Sequence, residues 1–181
     1  MICNRRDFLK WGAGALTVGL LPLPTLAATL KTVDTERTLS FYNTHTRESI
    51  DIRFFDRGGY CPEALNQANY ILRDHRSREV HPIDVRLLDT LYALKLKIRP
   101  KTPFHIISGY RSAVTNAMLR KTTSGVARTS YHTKGRAIDI RLPGYSSRRL
   151  RDVCIALKSG GVGYYGNSDF VHLDTGPIRT W

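Results

Sequence analysis

Cysteine is scarce in this chain, with three among 181 residues and none in a Cys-x-x-Cys pair. A thiolate zinc cage is therefore excluded. Cys3 sits ahead of the first apolar run, so it does not fit a lipoprotein cysteine. Cys61 and Cys154 remain, and they allow either one disulfide or two separate thiols behaving as small hydrophobes. The His-Glu-x-x-His pair that puts two zinc ligands on one helix is also absent. Acidic residues are few, 15 against 28 lysines and arginines, for a net charge of +13. No repeat, linker or low-complexity tract divides the sequence.

What is present begins with an address. Residues 1–27 run MICNRRDFLKWGAGALTVGLLPLPTLA, with Arg5-Arg6 ahead of an apolar stretch from Trp11 to about Leu21. Pro22 and Pro24 and a small-residue exit at Thr25-Leu26-Ala27 follow. A basic start, a short apolar middle and a small-residue end predict a cleaved export signal. The paired arginines before Phe8-Leu9-Lys10 resemble a twin-arginine signal, which is read as an address. The apolar middle is too short and too interrupted for a stable membrane span, and an uncut anchor is the alternative. Cleavage would leave residues 28–181 as one domain with its own core, in a periplasmic setting.

Arg5, Arg6 and Lys10 less Asp7 account for +2 of the charge, so residues 28–181 keep +11. That excess predicts a polyanionic neighbourhood: nucleic acid, anionic lipid or an acidic wall polymer. Export removes nucleic acid as a partner and leaves murein peptides with their free carboxylates and acidic surface polymers.

Beyond the leader the periodicities alternate between strand and helix. Leu39 to Asn43 and Ile50 to Phe54 alternate apolar and polar around Thr44-His45-Thr46-Arg47, which predicts a hairpin. Pro62-Glu63 opens a helix reaching Leu72, and Pro82-Asp84 precedes a second running to about Lys97. A short strand at 103–107 ends at Ser108-Gly109, and a third helix follows from Ser112 or Ala113 to Arg120. Lys121 to Tyr131 reads as a polar loop, 136–142 as a strand and 146–158 as a helix. Short strands near 162–165 and 170–173 close the pattern. The expected class is α+β: a small antiparallel sheet with helices packed against it, in a single domain.

Three segments carry chemistry. YHTKGRAIDI (131–140) holds His132 and Asp139, SDFVHLD (168–174) holds His172, and SGYRS (108–112) presents Arg111 just past a strand. A catalytic zinc takes three protein ligands and keeps one open position. His132 from a loop, Asp139 from the adjoining strand and His172 from a later strand supply two nitrogens and one oxygen. A turn at Gly135 lets His132 fold back toward Asp139. If Val171 and Leu173 face the core, alternation puts His172 on the opposite face. Each residue alone also has a plain structural reading, Asp139 as a strand-end cap and His172 as a satisfied core histidine.

In the order SGYR, HxxGxAxD, DFVH, these residues resemble the zinc D-Ala-D-Ala peptidase family with its LAS-type, Hedgehog-like fold, and in particular its exported murein endopeptidases. The resemblance covers nearly all of residues 28–181. It implies that His132, Asp139 and His172 bind Zn²⁺ and that the substrate is a peptide crosslink of peptidoglycan, D-Ala–diaminopimelate or diaminopimelate–diaminopimelate. It also implies that Arg111 contacts the scissile region. Several relatives carry an acid or histidine just before the last ligand. Here Phe170 occupies the HxH position, so Asp169, three residues before His172, takes the expected role of general base.

Other polar residues have smaller expected parts. Ser130 shapes its loop or binds substrate backbone. Asp174 holds the second nitrogen of a histidine or caps the Thr175-Gly176 turn. His45, His75, His81 and His105 fall outside the matched segments and are expected to be structural or superficial. The rival readings are a D-Ala-D-Ala carboxypeptidase, a murein-binding domain without activity, and a basic adaptor for polyanions.

Overall fold

The alternating hydrophobes of the first segment form a hairpin of β1 (Glu36–Asn43) and β2 (Ser49–Asp56), with Leu39, Phe41, Ile52 and Phe54 buried on one face. Its turn is closed by Asn43, whose Oδ1 accepts from the N–H groups of His45 and Thr46. The computed structural model describes residues 36–123 and 126–181. The expected export signal, 1–27, lies outside the described residues.

A two-residue strand, β3 (Gly59–Tyr60), leads into α1 (Pro62–Ile71), which starts with proline in its first turn, where a missing N–H costs nothing. Next comes α2 (Val85–Ile98), capped by Asp84 accepting from the Arg86 N–H at 3.0 Å. Its buried Leu87, Leu88, Leu91 and Leu94 recur at helical spacing. Left-handed Arg99 ends it, with Pro100 following. Strand β4 (Phe104–Ser108) and α3 (Ala113–Thr122), capped by Ser112, come next. The chain continues through β5 (Ala137–Arg141), α4 (Ser147–Leu157), β6 (Gly161–Tyr165), β7 (Phe170–Asp174) and β8 (Arg179–Thr180).

The eight strands of the described residues form one sheet in the order β3-β2-β1-β4-β5-β7-β6-β8. Most neighbours are antiparallel, while β1–β4 and β6–β8 are parallel. The α+β expectation holds, and the sheet gains β3 and β8 at its two edges. Each is two residues long, too short to show a periodicity. Helices α1, α2 and α4 share one apolar core with the sheet residues Phe41, Phe104, Ile138, Ile140, Val171 and Leu173. Truncating one of the fully buried phenylalanines to alanine would cost roughly 3–5 kcal/mol.

That core decides where the polar side chains go. Strand β5 is AIDIR, and its two isoleucines take the core face, so Asp139 must project from the other. Strand β7 repeats the device with Val171 and Leu173 in the core and His172 opposite. Cys154 is buried in α4 and Cys61 precedes α1 half-buried; both are free thiols. Burial pushes the Cys154 thiol up to about 12, the behaviour of a small core hydrophobe. No helix among the described residues is long and apolar enough to cross a membrane.

Candidate metal centre

A row of paired residues crosses the middle of the sheet: Ser108 on β4 opposite Asp139 on β5, Asp139 opposite His172 on β7, and His172 opposite Gly163 on β6. Their alignment follows from register, with an irregularity between Ile106 and Ser108 bringing Ser108 into line. His132 arrives from outside the sheet, on a 3-10 turn (Tyr131–Lys134) capped by Ser130, whose Oγ accepts from the His132 N–H. Gly135 ends the turn at φ 62°, and an added Cβ there would run into the Pro82 carbonyl. The chain reverses at this point, and His132 comes back over Asp139.

Two histidines and one aspartate thereby converge. Ligand atoms of His132, Asp139 and His172 all lie within 4.8 Å of one another, and all three residues are buried. His132 Nε2 is 3.2 Å from His172 Nδ1 and 3.2 Å from Asp139 Oδ1. His172 Nδ1 is 2.8 Å from the same Oδ1.

The outer nitrogens fix the tautomers. His132 Nδ1–H donates to the Gly109 carbonyl at 2.7 Å, so its Nε2 lone pair points inward. His172 Nε2–H donates to Asp174 Oδ2 at 3.1 Å, so its Nδ1 faces inward as well. With both rings neutral, two lone pairs and a carboxylate oxygen point at one another, which is repulsive unless a cation lies between them. This donor set fits a metal ion of the nitrogen- and oxygen-binding kind, and the outer partners orient the rings as ligand-supporting partners do.

The electrostatics tell the same story. Burial opposes charge on His172, yet the carboxylates of Asp139 and Asp174 outweigh it and hold the ring up to about 9. His132 is pushed down by its complete burial, which outweighs the pull of Asp139. Burial would raise Asp139, but the two histidines hold it well below the ordinary carboxylate range.

Arg111 joins the group from the β4–α3 connection. Its backbone N–H donates to the His132 carbonyl at 3.2 Å, and its guanidinium stands 3.6 Å from Asp139 Oδ2. Nη2 donates to Ser108 Oγ at 3.3 Å, while the buried Nε has no partner. Asp174 fills both of its expected parts. It accepts from His172, and it accepts from the Gly176 N–H at 2.8 Å in the turn that follows. Arg179 completes its set at 2.6 Å, and the Asp174 side chain is fully buried.

Asp169 is not brought to this cluster. It sits in a left-handed conformation after a short 3-10 turn (Gly166–Ser168), with its carboxylate 62% exposed and 4.0 Å from Arg141. The base role expected of it rests on the resemblance, in which an acid precedes the last ligand. Phe170 and His172 both border the cavity, so the odd-numbered neighbours point elsewhere.

The cluster opens into a cavity of about 970 Å³. One side is aromatic: Trp181 tilts over His172 at 5.3 Å and donates its indole N–H to Tyr165, which stacks on Phe170 at 4.5 Å. The absent side chain of Gly163 leaves room for the Trp181 ring. The other side holds His45 and His75, stacked at 3.8 Å, together with Arg76. Sequence reasoning missed this wall, since thirty residues and an intervening helix separate the two histidines. His81 and His105 are structural as expected, stacked on Tyr110 and tilted against Tyr42 respectively.

Comparison with known proteins agrees with this geometry. A family model described as peptidoglycan L,D-endopeptidase MepK matches residues 31–181. The chain is 45% identical over 178 residues to the peptidoglycan L,D-endopeptidase MepK of Escherichia coli (strain K12), covering 98% of this chain and 97% of that protein. It is 39% identical over 179 residues to the probable peptidoglycan L,D-endopeptidase MepK of Haemophilus influenzae, covering 98% and 95%. No solved structure matches with significance.

Proposed function

The chain belongs to the peptidoglycan L,D-endopeptidase MepK family, and from that premise we propose that it is a zinc-dependent murein endopeptidase hydrolysing peptide crosslinks of peptidoglycan. The observation that carries the metal part of this reading is the inward-facing trio of His132 Nε2, Asp139 Oδ1 and His172 Nδ1. These three residues would hold the zinc. A bound zinc supplies Lewis acidity, polarising a carbonyl oxygen and making water nucleophilic at neutral pH.

The chain's own groups do the rest. Gly109 and Asp174 keep each histidine in its ligating tautomer. Arg111, a partly buried cation beside Asp139, is suited to stabilise negative charge developing on the scissile carbonyl oxygen. Asp169 has no part in this reading.

Cavity size favours an endopeptidase over a carboxypeptidase. At about 970 Å³ it stands at the upper end of the roughly 300–1,000 Å³ range of ligand pockets, with room for peptide on both sides of a cut. The relatives' name specifies a bond between an L- and a D-configured centre. That favours the diaminopimelate–diaminopimelate crosslink over D-Ala–diaminopimelate, whose bond joins two D-centres. We further assign residues 1–27 to a twin-arginine export signal and residues 28–181 to a periplasmic peptidase domain, on the motif already described.

Metal analysis of the purified mature domain, paired with digestion of crosslinked murein with and without chelator, tests the reading. About one zinc per chain and chelator-sensitive loss of crosslinked dimers are expected. Cleavage that survives complete removal of metal would contradict it.

A further inference from the structure

Asp139 in the cavity and the nearby Asp174 and Asp74 already have their donors, and none of them pairs with Arg76. Asp139 faces both histidines and Arg111. Asp174 is taken up by His172, Arg179 and two backbone N–H groups. Asp74, two residues from Arg76, is saturated by the backbone N–H groups of Arg76, Ser77 and Ser112 at 2.9, 3.4 and 2.9 Å. The Arg76 guanidinium, lining the cavity, is left without a carboxylate or hydrogen-bond partner among the described residues.

Its backbone is fixed at the rim of the cavity, while the side chain stays exposed. The Asp74 hydrogen bonds fix the Arg76 backbone, and the stacked His45–His75 pair forms a flat wall beside it. His45 is anchored in turn through Nε2–H to the Ile107 carbonyl at 3.0 Å. Burial first, then the nearby charges of His45 and Arg76, push His75 down to about 4. On the same cavity, between Arg76 and the metal ligands, stands Arg111 with its unpartnered buried Nε.

A substrate must bring what this end lacks. In either crosslink considered above, the amine of the scissile bond comes from a D-configured carbon that also bears a carboxyl group. That carboxylate is three bonds from the carbonyl carbon under attack, nearer than any other in the stem peptides. We propose that Arg76, backed by Arg111, is the subsite that holds this carboxylate on the leaving side of the cut, so that the enzyme distinguishes free from amidated diaminopimelate. The proposal rests on the murein endopeptidase reading and names its specificity determinant. A guanidinium matches a carboxylate in two parallel hydrogen bonds, which a neutral amide does not reproduce.

The experiment uses two synthetic crosslinked peptides that differ only in whether the leaving-side carboxyl is free or amidated. The zinc-loaded wild-type domain should cleave the free acid with a kcat/KM about ten- to a hundredfold higher, the span of a charge-assisted pair. In Arg76→Ala that ratio should collapse toward one, chiefly through KM, and Arg76→Lys should restore part of it. Arg76 is exposed and without a side-chain partner among the described residues, so the thermal midpoint should not move. Equal cleavage of both peptides by the wild type, or a preference that survives Arg76→Ala, overturns the subsite. If neither peptide is cleaved, the endopeptidase reading fails, and calorimetric binding of the two peptides then decides the subsite alone. Tighter binding of the free acid that is lost in Arg76→Ala supports it, and indistinguishable binding refutes it.

Discussion

At the end of the cavity formed by His132, Asp139 and His172, the outer nitrogen of each ring has a fixed partner inside the protein. At the end formed by His45, His75 and Arg76, the rings are fixed but the charge is not. The first arrangement spends its hydrogen bonds in advance on holding three ligand atoms together, which is what preorganised chemistry requires. The second leaves a cation to be completed by a ligand, which is what recognition requires. Arg111 stands between them, touching Asp139 yet incompletely satisfied itself.

Arg111→Ala breaks the link between the two ends and should have the largest kinetic effect of the variants that keep the metal. Loss of one preorganised stabiliser lowers kcat by about 10²–10³. Zinc content should stay near one per chain, and a variant that lost its zinc would move Arg111 into a purely supporting part.

Asp174→Asn acts on the first end alone. The amide no longer holds the His172 Nε2–H as firmly, and it unsettles the buried pair with Arg179. Zinc affinity should fall by about 10–100-fold, read by competition with a chromogenic chelator. Unchanged affinity would reduce Asp174 to a turn cap.

Asp74 probes the second end through acid. Burial would raise its carboxyl, but hydrogen bonds from Thr115, Ser112 and the Arg76 backbone hold it well below the ordinary range. Its contribution is therefore complete above pH about 4 and lost as the pH falls further. Asp74→Asn should cost on the order of 1–3 kcal/mol at pH 7, and its thermal midpoint should fall less steeply below pH 4 than the wild type's. Parallel acid slopes would remove Asp74 from this account.

Asp169→Asn should have the smallest effect, less than about twofold on rate, since its carboxylate is exposed and turned to Arg141. A loss of about 10²–10⁴-fold would restore it as the general base.

The first end was legible in the sequence because both its constraints are local. Ile138 and Ile140 force Asp139 to the far face of β5, Val171 and Leu173 do the same for His172, and Gly135 supplies the reversal for His132. Helices were equally readable where Pro62, Asp84 and Ser112 mark their starts. The sheet order and its parallel pairs were not, because β1 finds β4 across sixty residues of other structure. Nor was the His45–His75 wall, whose two rings meet through tertiary packing. Asp169, expected as the base from its place three residues before His172, lies exposed beside Arg141 and outside the residues that line the cavity, a placement set by the turn that leads into β7.

The most direct measurement is the zinc content of Asp139→Asn beside the wild type, with circular dichroism to confirm folding. An amide keeps the shape but gives up the negative charge on the oxygen that lies 2.8 Å from His172 Nδ1 and 3.2 Å from His132 Nε2. The account predicts about one zinc per wild-type chain, less than about a tenth of that in the folded variant, and no measurable crosslink cleavage by it. A folded Asp139→Asn chain that holds a full equivalent of zinc and cleaves murein normally would contradict the assignment of this cluster as the metal centre.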